Sequence, residues 1–350
     1  MRARFLEPLL ISAAALLVSL LLFAVFVAAA GAEVTGVFES MYRGGFGTWF
    51  SWQSTLVGAA PLMLTALCTA LPARIGLIVI GGEGAVVVGG MSAALTGLAV
   101  QGTAPALAIL AMALAGMAAG GMWIAGAGAL RYYRGVNETI SSLLLNYIAI
   151  AVMNFLIFGP LRDPQTLNKP STYPIGEDYM LGHIGETFIH WGFGLGLAAC
   201  VLLWLLMRRT TFGFAVDITG GNRRAARLAG LPVARLLLLT CLLGGAAAGL
   251  AGMVEVAAVH GRANSSLNAG YGYEGILVAF VARHNPLAII PVAILFGGIR
   301  AGNGLLQRDH DLPDATGLVL QGIIFLVILA GETLYGRLPW FRPKEQTGER

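Results

Sequence analysis

The chain has 350 residues, of which 57% are hydrophobic and only 11% are charged, and its mean hydropathy is +0.77. Soluble domains carry about a quarter of their residues as charged side chains, so this composition excludes a water-soluble domain and predicts a protein in lipid. The net charge is +4, and the basic residues lie at the ends of apolar runs rather than in one patch. That distribution argues against a nucleic-acid partner.

Nine uncharged or nearly uncharged runs mark the predicted membrane-embedded helices. In chain order they are residues 9–30, 52–71, 75–100, 104–130, 139–159, 187–207, 236–254, 273–299 and 315–331. Most have the roughly 20 residues that a helix needs to cross a bilayer. The first run is longer than the apolar region of a cleaved signal, about 7–15 residues, so we predict a retained anchor. The sequence therefore predicts an all-α polytopic membrane protein with about eight to ten transmembrane or re-entrant helices.

The Lys and Arg residues of the short loops set the orientation. Fourteen lie on one side of the predicted helices and three on the other, in loops 31–51 and 160–186. Because positive residues concentrate on the cytoplasmic side, we expect both termini in the cytoplasm and these two loops outside. Residues 208–235 and the tail 336–350 then lie in the cytoplasm, and residues 1–350 form one transmembrane domain.

The run 273–299 is interrupted by His284-Asn285-Pro286. Proline lacks the N–H that continues a helix, and the two halves have about ten and fourteen residues, too few to span separately. We predict a re-entrant or broken helix pair here, with 315–331 as the crossing. Irregular backbone at membrane depth survives only where it lines a cavity or is buried in protein.

A weak internal repeat divides the chain into two halves. Gly81-Gly82-Glu83-Gly84 recurs 191 positions later as Gly272-Tyr273-Glu274-Gly275. Interrupted segments at matching places of two halves indicate the binding site of a transporter. A carboxylate inside an apolar run is costly, so Glu83 and Glu274 either line a substrate path or cap the helix beside each bend.

Polar residues also lie near and within the run 139–159. Asn137 and Glu138 precede it and are typical of a helix start, where they satisfy free N–H groups and complement the dipole. Asn146 and Asn154 lie eight residues apart inside it, and a buried amide is costly unless it is paired. Contact between helices and contact with substrate both account for this pair, and Tyr147 fits either role.

The sequence contains no pattern typical of catalysis. The five histidines have no metal-ligand spacing, the three cysteines lie within apolar runs, and no G-x-x-x-x-G-K-[ST] phosphate loop is present. We therefore expect no enzyme activity and no cofactor. If a nucleotide drives transport, another chain must bind it.

Residues 208–235 form a polar segment between two spans and hold six of the 22 Lys and Arg residues. Arg223, Arg224 and Arg227 would form one basic ridge on a short helix, and Ala225, Ala226 and Ala229 a low surface for docking. The concentration of positive residues on the cytoplasmic side of membrane proteins is enough to account for the arginines. It does not account for the Gly-Asn and Ala-Gly pairs that frame them, which favours a structured element that meets a cytoplasmic partner.

Three stretches resemble the permease subunits of bacterial ABC importers, in the nucleoside and simple-sugar branch of the family that also serves branched-chain amino acids and ribose. Residues 136–149 (VNETISSLLLNYIA) are similar to that branch's signature, residues 212–230 to its cytoplasmic coupling segment, and residues 272–282 with Pro286 to its last membrane block. The resemblance spans roughly residues 50–335.

The resemblance implies several partners: ATP-binding cassette subunits, a second and different permease, and an extracytoplasmic solute-binding protein. It also implies a coupling helix near residues 220–230. The expected coupling residues are Phe212, Gly213, Gly220, Asn222, Arg223, Arg224, Ala226, Arg227 and Gly230, and the expected substrate-path residues are Glu83, Asn146, Tyr147, Asn154 and Glu274.

One segment departs from the family pattern. Where the family reads Asn-Ile-Gly-x-Glu-Gly-Gln, this chain has Val79 and Ala85 in place of the two amides. The solute therefore stays open among nucleosides, purines and simple sugars. An ion- or proton-coupled secondary transporter, with Glu83 and Glu274 as the titrating groups, is the alternative function. An intramembrane enzyme lacks any paired nucleophile and base.

Overall fold

The computed structural model describes residues 3–166, 168–313 and 315–332, with side chains from residue 14 to 331. The α-helices of these residues are α1 (Ala3–Ala29), α2 (Val34–Tyr42), α3 (Trp49–Arg74), α4 (Gly82–Ala99), α5 (Pro105–Arg134), α6 (Glu138–Phe158), α7 (Trp191–Arg209), α8 (Thr211–Gly221), α9 (Arg223–Leu228), α10 (Val233–Val254), α11 (Tyr271–Val281), α12 (Pro286–His310) and α13 (Ala315–Glu332). The described ranges contain no β-strand. The expected tail 336–350 lies outside them.

Seven helical segments of the described chain are long and apolar enough to cross a membrane: α3 to α7, Val233–His260 and α12. Two shorter apolar segments, Ala14–Ala29 and Ala315–Gly331, lie within α1 and α13. Together with the half-length α11, these segments confirm an all-helical membrane protein with eight to ten spanning or partly spanning helices.

The larger of two compact units comprises Thr48–Gly298. Its core is the packing of α3, α4, α5 and α10, where glycines from three helices meet. A Cβ on Gly249 of α10 would overlap the carbonyl oxygen of Gly116 on α5, and one on Gly89 of α4 would overlap the backbone of Gly249. Small residues let helix backbones approach in lipid, and the glycines serve that purpose here.

The smaller unit comprises Met1–Gly47 and Ile299–Arg350. In its described part α1 packs along α13, and α2 contacts the end of α12 through a 3.0 Å hydrogen bond between Ser40 Oγ and His310 Nε2. The expected outer loop 31–51 is thus largely helical, with α2 followed by a π-helical turn at Arg43–Gly47.

The broken helix pair expected at His284-Asn285-Pro286 is present, but its second half is longer than the sequence predicts. Helix α11 ends at Val281, Arg283 and His284 adopt left-handed backbone angles (φ 53° and 55°), and α12 then runs 25 residues to His310. The charged Arg300 and Arg308 lie beyond the apolar run and hide this continuation in the sequence. If α11, α12 and α13 each cross the membrane, three crossings follow α10. An odd number is needed there to bring the chain from the outer end of α10 to the expected cytoplasmic tail.

The first of these crossings is only half helical. Arg262 Nη1 lies 3.9 Å from Oδ2 of Asp163 in the predicted outer loop 160–186. Asn264 forms an isolated antiparallel β-bridge with Ser171 of that loop. Leu267 then contacts Gly90 near the middle of α4. The chain enters α11 from this depth, so segment 261–270, which is irregular apart from one 3-10 turn at Ser265–Leu267, forms the outer half of the crossing and α11 the inner half.

Candidate functional site

Two interrupted membrane segments meet at Glu83. Helix α4 begins at Gly82 after the non-helical residues 75–81, which include a turn at Ile75 and Gly76, and α11 begins at Tyr271 after segment 261–270. The Glu83 carboxylate accepts hydrogen bonds from the backbone N–H of Gly270 (2.8 Å) and of Gly272 (2.6 Å). It satisfies free N–H groups at the start of α11 and places a negative charge at the positive end of the helix dipole.

The two repeated Glu-Gly turns lie against each other. A Cβ on Gly272 would overlap the backbone of Glu83, so only glycine fits where the two turns touch. Helix α4 runs from this point toward the predicted outer side and α11 toward the predicted cytoplasmic side. The repeat is therefore inverted, as in transporters that bind their solute near the bilayer midplane.

Asn146 on α6 holds this junction from the side. Its Oδ1 accepts from the N–H of Gly84 (2.8 Å), and its Nδ2 donates to the carbonyl of Ile80 (3.0 Å) and to the hydroxyl of Tyr273 (3.4 Å). The side chain is fully buried. Both the oxygen and the nitrogen of the amide are therefore used in contacts within the protein. This fits contact between helices, which was one of the two roles expected for Asn146.

Two further residues of α6 contact residues 75–81, and the sequence analysis did not predict them. Thr139 Oγ1 donates to the carbonyl of Ile78 (2.9 Å), and Ser142 Oγ accepts from the N–H of Ile80 (3.0 Å). With Asn146 they recur at i, i+3 and i+7, which is the spacing of one helix face. That spacing within residues 136–149 was the signal that could have identified them.

The other expected path residues differ in exposure. Glu274 is buried in the first turn of α11, whereas Tyr147 is 60% exposed and Asn154 is half-buried. Tyr147 and Asn154 are seven residues apart and share a face of α6, because seven residues are close to two helical turns. Asn146, by contrast, is fully buried, so the two asparagines of this helix differ in exposure.

The segment 208–235 contains two short helices rather than one. Thr210 caps α8 by accepting from the N–H of Gly213 (3.4 Å). Asn222 then interrupts the helix and caps α9 by accepting from the N–H of Arg224 (2.9 Å) and of Ala225 (3.0 Å). The chain turns toward α10 at Gly230, whose φ of 79° favours glycine. We call α8 and α9 together the coupling element, after the role that the sequence predicts for this segment.

The coupling element rests on the connection between α3 and α4. Asp217 of α8 pairs with Arg74, with 3.2 Å between Oδ1 and Nε. Arg223 Nη2 donates to the carbonyls of Ile75 (3.2 Å) and Gly76 (3.1 Å). A Cβ on Gly220 would overlap the carbonyl oxygen of Arg74, so α8 lies directly on this connection.

The three arginines of the predicted basic ridge differ in surroundings. Arg223 is half-buried and points to the α3–α4 connection, whereas Arg224 and Arg227 are exposed, with the Arg227 guanidinium 5.7 Å from the centre of the Tyr132 ring. Ala226 is buried and therefore lies outside any docking surface. The element instead exposes the apolar side chains of Phe214 (68%) and Leu228 (85%).

Comparisons with known proteins agree with this architecture. Residues 51–329 match the family described as "Branched-chain amino acid transport system / permease component". The chain belongs to this permease family.

Its relatives include the glucose ABC transporter permease TsgB13 of Haloferax volcanii, 32% identical over 81% of this chain and 77% of the relative. The guanosine ABC transporter permeases NupP and NupQ of Bacillus subtilis are 30% identical over 92% of this chain and 93% of the relative, and 26% identical over 79% and 90%. The chain is a multi-span permease subunit of an ABC transporter, a transport protein rather than an enzyme, of the kind found in the inner membrane of bacteria.

Membership in this family does not favour the secondary-transporter alternative. In the permease both oxygens of Glu83 accept from backbone N–H groups, as a structural cap does. Val79 and Ala85, which replace the two amides of the family pattern, are fully buried in the permease. These two positions therefore pack against neighbouring helices and do not face an open cavity of this chain.

Proposed function

We propose that this permease is half of an ATP-driven importer for a nucleoside, a purine or a related polar ring compound. The two relatives named for guanosine cover 92% and 79% of this chain and support this substrate class. A simple sugar is the second candidate, because the relative named for glucose is 32% identical.

The observation that carries the proposal is the line of contacts from the coupling element to Glu83. The hydrogen bonds of Arg223 and the ion pair of Asp217 join the coupling element to residues 74–76. The next residues, Ile78 and Ile80, are held by α6, and Glu83 then binds the start of α11. A movement of the coupling element would thus reach the junction of both repeats as a rigid-body displacement.

An ATP-binding cassette subunit would dock on the exposed side of the coupling element. Phe214 and Leu228 supply apolar anchors and Arg224 supplies a charge at the rim, which is the composition expected of a protein interface. Phe212, Gly213, Gly220, Asn222, Ala226, Arg227 and Gly230 would act indirectly, because they shape the two helices.

A second permease would cover the face of α6 that carries Tyr147 and Asn154. Polar side chains on an exposed face of a membrane helix are costly in lipid, so a protein or a water-filled path is the better neighbour. The presence of two different guanosine permeases in one relative's organism supports a heterodimer. We place Tyr147 and Asn154 on the solute path between the two permeases, and Glu83, Asn146 and Glu274 in the junction that moves beside it.

The solute identity is tested on an extracytoplasmic binding protein chosen because its gene neighbours the gene of this permease. Thermal-shift measurements with guanosine, adenosine, adenine, ribose and glucose would compare both substrate classes on one protein. Stabilisation by a nucleoside or purine supports the first candidate, and stabilisation by glucose or ribose alone replaces it with the second. The absence of any ATPase gene beside this permease would argue against an importer.

A further inference from the structure

A cavity of about 350 Å³ lies where the predicted cytoplasmic ends of three elements of the larger unit meet. Arg74 ends α3, Arg208 lies in the last turn of α7, and Arg283 lies in the turn between α11 and α12. All three side chains line the cavity, together with Trp204, Asn285 and Pro286. The volume falls within the range of small-molecule sites, about 300–1,000 Å³, and exceeds what a simple ion needs.

The charge of this cavity is strongly positive. Three of its lining residues are arginines, and none of the described lining residues is Asp or Glu. Asp217 offsets the charge of Arg74 from outside the lining, whereas Arg208 has no ion-pair partner among the described residues. Helix α12 also begins here, and its positive dipole end adds to the potential.

The position of the cavity matches the headgroup level of a bilayer. Trp204 lies one turn before Arg208 on α7, so an indole lies on the membrane side of the guanidinium groups. Trp at this depth is typical of the interface between lipid and water, and basic pockets between helices on the cytoplasmic side bind anionic headgroups. Arg is also the residue that best matches the geometry of phosphate oxygens.

We propose that this arginine cavity binds a phosphate group, supplied by the headgroup of an anionic phospholipid of the cytoplasmic leaflet or by a free phosphate of the cytoplasm. The site is separate from the solute path and does not depend on which solute is imported. Arg74 links it to the coupling element through Asp217, so an occupant lies next to the contact that carries the ATPase's movement.

The test measures lipid binding to the full-length chain by native mass spectrometry, with phosphatidylglycerol compared against phosphatidylcholine. We expect at least tenfold preference for phosphatidylglycerol, and its loss in the double variant R208Q/R283Q, because each charge-assisted contact is worth about a factor of ten in affinity. The double variant R134Q/R209Q is the matched control. It removes the same charge from exposed residues outside the cavity and keeps the preference.

Inorganic phosphate and ATP, each added at millimolar concentration, distinguish the two sources of phosphate. Binding of either that depends on Arg208 and Arg283, without a lipid preference, assigns the site to a free phosphate. Equal loss of lipid binding in both double variants, or no phosphate-dependent binding at all, overturns the proposal. The single variants R208Q and R283Q repeat the measurement if the double variant is not recovered folded.

Discussion

Glu83 accepts a 2.6 Å hydrogen bond from the N–H of Gly272, 189 residues away, and so joins the two inverted repeats of the permease. Two interrupted membrane segments are stabilised by one carboxylate at their meeting point. The connection that leads to Glu83 also contacts α8 and α9, through Arg74, Ile75 and Gly76.

The variant E83Q tests the capping role. An amide NH₂ group cannot accept from a backbone N–H, so one of the two hydrogen bonds is lost and two donors face each other. We expect the free energy of unfolding to fall by about 1.5–3 kcal/mol, measured as a lower melting temperature in detergent. The control E39Q removes a carboxylate that is 70% exposed and should change stability by less than about 1 kcal/mol. An E83Q protein of normal stability whose uptake no longer responds to a proton gradient would instead revive the secondary-transporter alternative.

The close contact of the repeats is tested by G272A. The added methyl group overlaps the backbone of Glu83, and we expect a loss of about 1–3 kcal/mol in unfolding free energy together with reduced uptake. The control is G126A on α5, because a Cβ at Gly126 meets nothing within 4 Å. Alanine there should leave the melting temperature unchanged or slightly raised. Equal behaviour of the two variants would contradict the packing described here.

Arg223 and Arg224 are adjacent and have the same charge, yet they should behave differently. Arg223 donates to the α3–α4 connection, so R223Q should leave ATPase binding and ATP hydrolysis intact but lower uptake per ATP several-fold. Arg224 is exposed, so R224Q should weaken binding of the ATPase subunit, and less so at high salt. Titration of the ATPase subunit, with hydrolysis and uptake measured on the same liposomes, separates the two effects. If the two variants have identical effects on hydrolysis and uptake, the arginines of residues 208–235 serve only to orient the chain in the membrane.

His190, just before α7, predicts a dependence of stability on pH. Burial, reinforced by the charge of His183, lowers the pKa of His190 to about 4, against about 6.5 in the unfolded chain. The unfolded state therefore binds the proton first, and the stability that neutral His190 contributes is present above pH 6.5 and is lost as the pH falls toward 4. In H190Q the melting temperature should change less between pH 7 and pH 5 than it does in the unmodified protein. H183Q should keep most of the slope, because burial is the larger cause, and an unchanged slope in H190Q would rule this account out.

Much of the architecture follows from the sequence because membrane spans are local features. Runs of apolar residues locate the helices, Pro286 locates the break, and the repeated Glu-Gly turns indicate two related segments. The continuation of α12 past Ile299 is missed because Arg300 ends the apolar run, although a helix partly buried in protein tolerates charge.

The partners of the polar residues depend on tertiary contacts that no local pattern contains. Capping beside its own bend was one expectation for Glu83, and the structure shows it capping the other half of the molecule instead. The direction in which Arg223 points is set by how α8 lies on Arg74. The spacing of Arg223, Arg224 and Arg227 cannot predict this direction. It shows how the three residues are arranged around their own helix but not what packs against that helix.

The most direct test of the central claim is uptake into proteoliposomes. The permease is reconstituted with the proposed partners, a second permease and ATPase subunits, and labelled nucleoside uptake is measured with the binding protein outside and ATP inside. We predict uptake that requires ATP and the ATPase subunit and that falls sharply in D217R, with partial recovery in R74D/D217R, where the ion pair is re-formed in reverse. Uptake by the permease alone, driven by a proton gradient and indifferent to ATP, would contradict the account.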